Sequence, residues 1–372
     1  MLVISARVDA PEGYVVDLVR VMSLPCGLTY PDSWRYTKDL VSKDLLSAVA
    51  AGQDLRGRDV LVCAGLPVEG GGVALAPLRR GTIQRVELDD ILSVAFSVGE
   101  FVQLPDDDQL IASWTLRGAE LAGDIADSAV ETLSFTTSLE QQKTEWARTI
   151  SALQRDTHSN GAFDRTLFSF AWLVDKHGKE PSKGVAETLT NLGEVRGYQL
   201  TAGDKYELLW KHRAPGFGSL PDGLPEVQFK LSPVPGLTSG SGTAVVRGAY
   251  HNQVGWALYP TKTEGKMEYL EFGLEGTAPD NTRIPETKLP VVVRFSQLNL
   301  IRQTWWRYAL LAVGLWVGIM WSIFASTKMV TTLSLEDILT KFLAHWPLVV
   351  GAFIVALGSA LVFVLQKGYG KS

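Results

Sequence analysis

Five arginines, Arg56, Arg58, Arg79, Arg80 and Arg85, crowd one stretch in the N-terminal third of this chain. Guanidinium groups are permanently charged forks of donors. If strands bring these five together, they offer a surface for an anionic ligand, either a nucleotide signal or a nucleic-acid backbone. Glu87, Asp89 and Asp90 follow in sequence and are placed to neutralise part of that charge. The net charge of the chain is −5, from 35 basic and 40 acidic residues, so the global balance does not point to nucleic acid as the principal partner.

Other reactive side chains are scattered. The histidines are His158, His177, His212, His251 and His345, none spaced from another as metal ligands are. No HExxH, CxxC or GxSxG occurs. Cys26 and Cys63 are the only cysteines, too few for a disulfide framework, and both sit beside apolar residues like buried thiols of a reducing compartment. Cys26 lies in a Leu-Pro-Cys-Gly turn, and a catalytic thiol there would need a distant histidine. Asp106, Asp107 and Asp108 are adjacent and lack the alternation and glycine of a calcium loop, so a solvated loop explains them better. Gly70 to Gly72 precede a strand pattern where a phosphate cradle needs a helix, and they read as a hairpin turn. These residues imply no metal, no cofactor and no catalytic set.

The elements that would position the arginines follow from periodicity. Residues 1–125 read as a strand-rich α+β domain built on a small curved sheet or partial barrel. Its strand candidates are Val60–Ala64, Thr82–Val86 and the alternating Leu92–Val98, with a helix over Thr37–Ala51 stopped by Gly52. Residues 126–194 read as a helical segment. Thr137 and Glu140 make a capping box before the stripe Leu139, Trp146, Ile150 and Leu153, and a second helix is predicted from Pro181 to Leu192. Residues 195–297 carry seven short strand candidates separated by Gly and Pro clusters, the spacing of an immunoglobulin-like β-sandwich without its Cys–Trp–Cys signature. Trp34, Trp114, Trp146 and Trp210 read as core anchors.

Residues 298–372 carry the strongest pattern in the chain. The uncharged stretches 308–327 and 346–366 are each long enough to cross a bilayer as a helix, which predicts a two-helix transmembrane hairpin. Arg294, Arg302, Arg307, Lys367 and Lys371 flank the pair, against Lys328 and Lys341 in the connector, so both chain ends are expected on the cytosolic side of the inner membrane. No basic leader with an apolar core opens the sequence, which agrees with a body that stays in the cytosol. Trp305, Trp306, Tyr308 and Trp346 are placed as interfacial aromatics. A stripe of Leu335, Ile338, Leu339, Phe342 and Leu343 predicts an interfacial helix over 334–345, or the first turns of a second span bent at Pro347. Gly314 with Gly318, and Ala352 with Ala356 and Ala360, repeat at the four-residue spacing that lets helices approach closely. Such faces serve either packing within one hairpin or association between copies.

The expected function is that of a membrane-anchored, non-enzymatic sensor or effector. Its β-rich body would bind a protein partner or signal, and its hairpin would form a homo-oligomer in the lipid bilayer. Joined cytosolic recognition domains and short hairpins occur among bacterial stress and antiphage defence effectors, which supplies an analogy only. A passive membrane-localising scaffold is the alternative, and a membrane-attached enzyme with an unrecognised site is a further one.

Overall fold

Leu2, Val3, Ile4, Ser5 and Ala6 are all buried, the continuous burial of a strand covered on both faces. That strand, β1 (Leu2–Arg7), is followed by α1 (Glu12–Met22), β2 (Trp34–Thr37), α2 (Lys43–Ala50), β3 (Asp59–Pro67), β4 (Val73–Leu88), β5 (Ile91–Phe101), β6 (Trp114–Leu116) and β7 (Ala122–Asp124). The computed structural model describes residues 1–8, 12–68, 72–107, 109–116, 118–156, 166–187, 194–213, 227–231, 237–239, 243–246, 253–260, 268–277 and 287–294, together with Val313, Gly314 and Trp316.

The first sheet runs β2-β5-β4-β3-β1-β7, with β6 paired to the start of β4. β1 and β3 are parallel, and the other neighbours are antiparallel. Register shifts at Val62/Cys63, Arg79/Gly81 and Ile83/Arg85 bend the long β4, and bulges of this kind raise local twist. The result is a curled half-barrel. A buried aromatic run packs against it: Tyr30 stacks on Phe96 at 5.5 Å, Phe96 on Trp34 at 6.0 Å, and Trp34 meets Tyr36 at 6.4 Å. The predicted helix over Thr37–Ala51 forms only from Lys43. Thr37 closes β2, and Ser42 caps the helix through the Leu45 amide. Gly52 (φ 76°) ends it as expected.

The helix α3 (Leu139–Asp156) starts one residue later than its predicted cap. Gln141 N donates to Ser138 Oγ at 3.2 Å and Ser138 N donates to Gln141 Oε1 at 3.1 Å, a reciprocal box on Ser138 in place of Thr137. Its buried stripe is the predicted one: Trp146, Ile150 and Leu153. Then come β8 (Phe168–Asp175), β9 (Lys183–Glu187), β10 (Glu194–Thr201), β11 (Tyr206–Arg213), β12 (Val227–Leu231), β13 (Leu237–Ser239), β14 (Thr243–Val246), β15 (Gln253–Pro260), β16 (Glu268–Thr277) and β17 (Thr287–Arg294). They make two sheets, ordered β14-β12-β16-β17-β10-β9 and β13-β15-β11-β8. The helix predicted from Pro181 to Leu192 is corrected by β9, which pairs antiparallel with β10 from Lys183↔Tyr198 to Glu187↔Glu194. Gly184 and Val185 are poor helix formers, and the β10 ladder supplies the hydrogen bonds that a short helix would have made internally. Residues 188–193 lie outside the described ones.

One buried apolar cluster runs from Leu2 through Trp146 to Val293. Polar ties cross it. Thr29 N donates to Arg196 O and Arg196 N donates to Thr29 Oγ1, both at 2.8 Å. Thr287 Oγ1 lies 2.6 Å from Ser169 Oγ. Asp32 meets Arg20 of α1 at 3.5 Å and Lys288 of β17 at 3.7 Å. Beside them the buried Tyr30 hydroxyl donates to Asp17 Oδ1 at 2.9 Å. The chain is therefore a β-rich α+β protein with a curled half-barrel sheet and a few helices. By contact it divides into Met1–Thr263 with Met267–Arg294, and Glu264–Lys266 with Phe295–Ser372. Of the second unit, Val313, Gly314 and Trp316 are described, and they are helical.

Candidate functional site

The five arginines meet different fates because they fall at different points on the bent β4 and the turn before β3. Arg79 is fully buried. Its Nη1 donates to Val21 O at 2.8 Å and Leu24 O at 2.5 Å, carbonyls at the C-terminal end of α1. Its Nε and Nη2 donate to Gly99 O at 3.2 and 2.6 Å. These acceptors, and the negative end of the α1 dipole, stand where a carboxylate partner usually would. Burial pushes the guanidinium down to about 9, which leaves it charged at neutral pH. Arg79 thus belongs to the core.

Arg58 and Arg80 do come together. They line a cleft of about 490 Å³ with Met1, Asp59, Asp127 and Phe135. Arg80 forms an ion pair with Asp59 and holds its guanidinium 5.6 Å from the Phe135 ring centre. Arg58 Nη2 stands 3.4 Å from Asp124 Oδ1. The Met1 ammonium donates to Asp127 Oδ1 at 2.6 Å, which holds that carboxyl below its usual range. Three cations, counting the Met1 amine, therefore face Asp59, Asp127 and Glu131 in the same lining. Such a cleft suits a ligand that exchanges its own anion for one of these carboxylates and lays an apolar part against Phe135. Arg56 and Arg85 do not line it. Arg56 is exposed, and Arg85 pairs with Glu87 as its neighbours in sequence suggested.

Cys63 is buried and Cys26 half-buried. Burial, and secondarily Glu100, pushes the Cys26 thiol up, opposite to what a nucleophile needs. His177 is exposed and His212 buried, while His158, His251 and His345 lie outside the described residues. Among the described residues no group of three His, Cys, Asp or Glu side chains could hold a metal ion. Asp106 and Asp107 are exposed, and Asp108 lies outside the described residues.

Trp34, Trp146 and Trp210 are buried core anchors, and Trp114 is half-buried. Among the described residues no helix is long and apolar enough to cross a membrane. Gly314 is exposed, and no described heavy atom lies within 4 Å of where a Cβ would stand on it. Gly318, Ala352, Ala356, Ala360, Trp305, Trp306, Tyr308 and Trp346 lie outside the described residues. β8 is buried continuously from Phe168 to Val174, so its sequence shows no alternation, and flanking turn residues are the signal it carries. The chain matches no family model and no curated protein.

Proposed function

We propose that this chain is a membrane-anchored, non-enzymatic sensor or effector. In this reading its strands from β10 to β17 belong to an immunoglobulin-like sandwich, and residues 308–327 and 346–366 form a hairpin in the inner membrane with both chain ends cytoplasmic. The observation that supports it best is the position of β17. That strand is held on both sides, by β16 and by β10, and ends at Arg294, fourteen residues before the first apolar stretch begins at Tyr308. A strand clamped inside a sheet cannot shift alone, so a change in the body on binding a partner reaches the connection to the hairpin. The Arg58–Arg80 cleft is the place for an anionic signal, and a protein partner docks on the body. Gly314 and Gly318, with Ala352, Ala356 and Ala360, supply the close helix approach through which copies associate. By analogy of layout the role is that of a bacterial stress or antiphage defence effector.

The test is the mass of the full-length protein in detergent, alone and with Gly314→Leu or Gly318→Leu. A discrete oligomer that dissociates on either substitution is the expected result. A monomer that joins a complex only through its body would replace this reading with that of a passive scaffold. Activity retained after deletion of residues 301–372 would remove the effector role altogether.

A further inference from the structure

The chain as a whole is acidic, yet cations of α3 and of the strand beside it converge. Lys143 of α3 stands on the side of the helix that meets β11, which adds Lys211 and Arg213, while Arg148 lies about 140° around the helix. Glu140 pairs with Lys143 at 2.7 Å, and the buried Glu145 pairs with Arg148 at 2.8 Å, away from this side of the helix. Glu207 is exposed on the same strand face, four residues from Lys211 and so roughly 13 Å along the strand.

The cations are built into place. Lys143 Nζ lies 4.1 Å from the Trp172 ring centre and 2.7 Å from Glu140, which is 82% exposed. Lys211 Nζ lies 6.0 Å from the Trp146 ring centre. Arg213 Nη1 donates to Ala147 O at 2.8 Å and also bonds Ser151 Oγ, which fixes the strand against α3. Pairing explains the crowding: Lys211 and Arg213 stand opposite Phe170 and Phe168 of β8, next to Trp172 on the same sheet face, over which α3 lies. Burial pushes the Lys211 ammonium down, and the Lys143 ammonium and Arg213 add to that against Glu140. An anion among these cations would relieve their mutual repulsion.

We infer that the α3–β11 face, through Lys143, Lys211 and Arg213, binds the phosphate groups of anionic phospholipids. Lipid is favoured over nucleic acid by the tether. The 13 residues Phe295 to Arg307 reach at most about 45 Å when fully extended, so a body anchored as proposed above never leaves the neighbourhood of the bilayer. The cytosolic leaflet is the anionic one, and basic surfaces held near it are attracted within about a Debye length. This inference rests on the anchoring reading.

The experiment uses full-length protein in lipid nanodiscs and measures acylation rates of individual lysines by mass spectrometry. In discs containing phosphatidylglycerol, Lys143 and Lys211 should label about threefold or more slowly than in phosphatidylcholine discs, with high salt restoring the rate. The exposed Lys176 and Lys205 should label equally in both and serve as internal references. Equal rates at Lys143 and Lys211 in the two lipids overturn the lipid site. Protection in phosphatidylcholine discs on adding inorganic phosphate or RNA also overturns it, by assigning the face to a soluble phosphate ligand. Failure of the chain to stay in the discs refutes the anchoring reading instead. The same labelling on free vesicles of the two lipids then decides the site by itself, with equal rates again overturning it.

Discussion

The guanidinium carbon of Arg79 stands 4.0 Å from the centre of the Phe101 ring, inside the core, with no carboxylate among its hydrogen-bond acceptors. One side chain of β4 thereby joins the end of α1 to two positions of β5. The core tolerates this cation because carbonyl dipoles and an aromatic face replace the water it has lost.

Arg79→Met keeps the bulk and removes every donor, leaving Val21 O, Leu24 O and Gly99 O without this partner. The expected loss of stability is about 2–4 kcal/mol, read from urea unfolding of the full chain in detergent. Arg79→Lys should recover only part of it, because an ammonium is a compact point charge and cannot match the fork. A variant of wild-type stability would show that the guanidinium contributes nothing net.

Thr29→Val is nearly isosteric but removes the oxygen that accepts from Arg196 N and from Gln84 Nε2, each at 2.8 Å. Stability should fall by about 1–3 kcal/mol, and hydrogen exchange at the Arg196 amide should accelerate while that of Ile4 in β1 changes far less. Unchanged exchange at Arg196 would mean that the Thr29 hydroxyl does not hold β10.

Gly197→Ala tests the close approach of β10 and β17. A Cβ on Gly197 would stand 2.8 Å from the carbonyl carbon and oxygen of Pro290, so the parallel ladder must spread. A loss of about 1–3 kcal/mol is expected, visible as a lower midpoint of thermal unfolding. A neutral result would mean that the ladder accommodates the methyl group by shifting.

Two aspartates should give opposite pH dependences. Burial, working against the Tyr30 hydrogen bond, holds the Asp17 carboxyl above its ordinary value of 3.8. The folded state then binds this proton more tightly than the unfolded one, so the contribution is greatest in acid and is lost as pH rises through the folded value. Asp175 accepts from the amides of Lys179 and His177, which lowers its carboxyl, so its contribution is present above 3.8 and is lost as pH falls through the folded value. Stability measured from pH ~3 to 7 should thus lose a falling component in Asp17→Asn and a rising one in Asp175→Asn. The same slope in both variants as in the wild type would contradict both assignments.

What the sequence made legible was local. β11 and the stripe of α3 are readable because each exposes one face and buries the other, β5 because Leu92, Val94, Phe96 and Val98 alternate with small or polar residues, and β12 because Gly and Pro clusters flank it in the sequence. β8 is hidden by burial on both faces, and β9 mimics a helix in sequence because Pro181 and the length of the segment resemble one. The arginine cluster was legible as a composition but not as a site. Whether Arg79 points into the core or into the cleft depends on the bulge between Arg79 and Gly81, and no side chain announces a bulge in β4. The nearness of Lys143 to β11 is not legible in the sequence because it depends on how α3 packs on a sheet face that carries residues 68 positions further on.

The interior place of β17 also sets an order of events during synthesis. The six-stranded sheet lacks its middle until residues 287–294 leave the ribosome, so β10 and β16 each wait with an open edge until then. When that strand emerges, the apolar stretch from Tyr308 is still inside the ribosome, directly behind it. Completion of the body and delivery of the apolar segments are thus consecutive steps. A chain stalled before residue 287 would leave an unpaired, aggregation-prone edge, and not a finished body lacking residues 295–372.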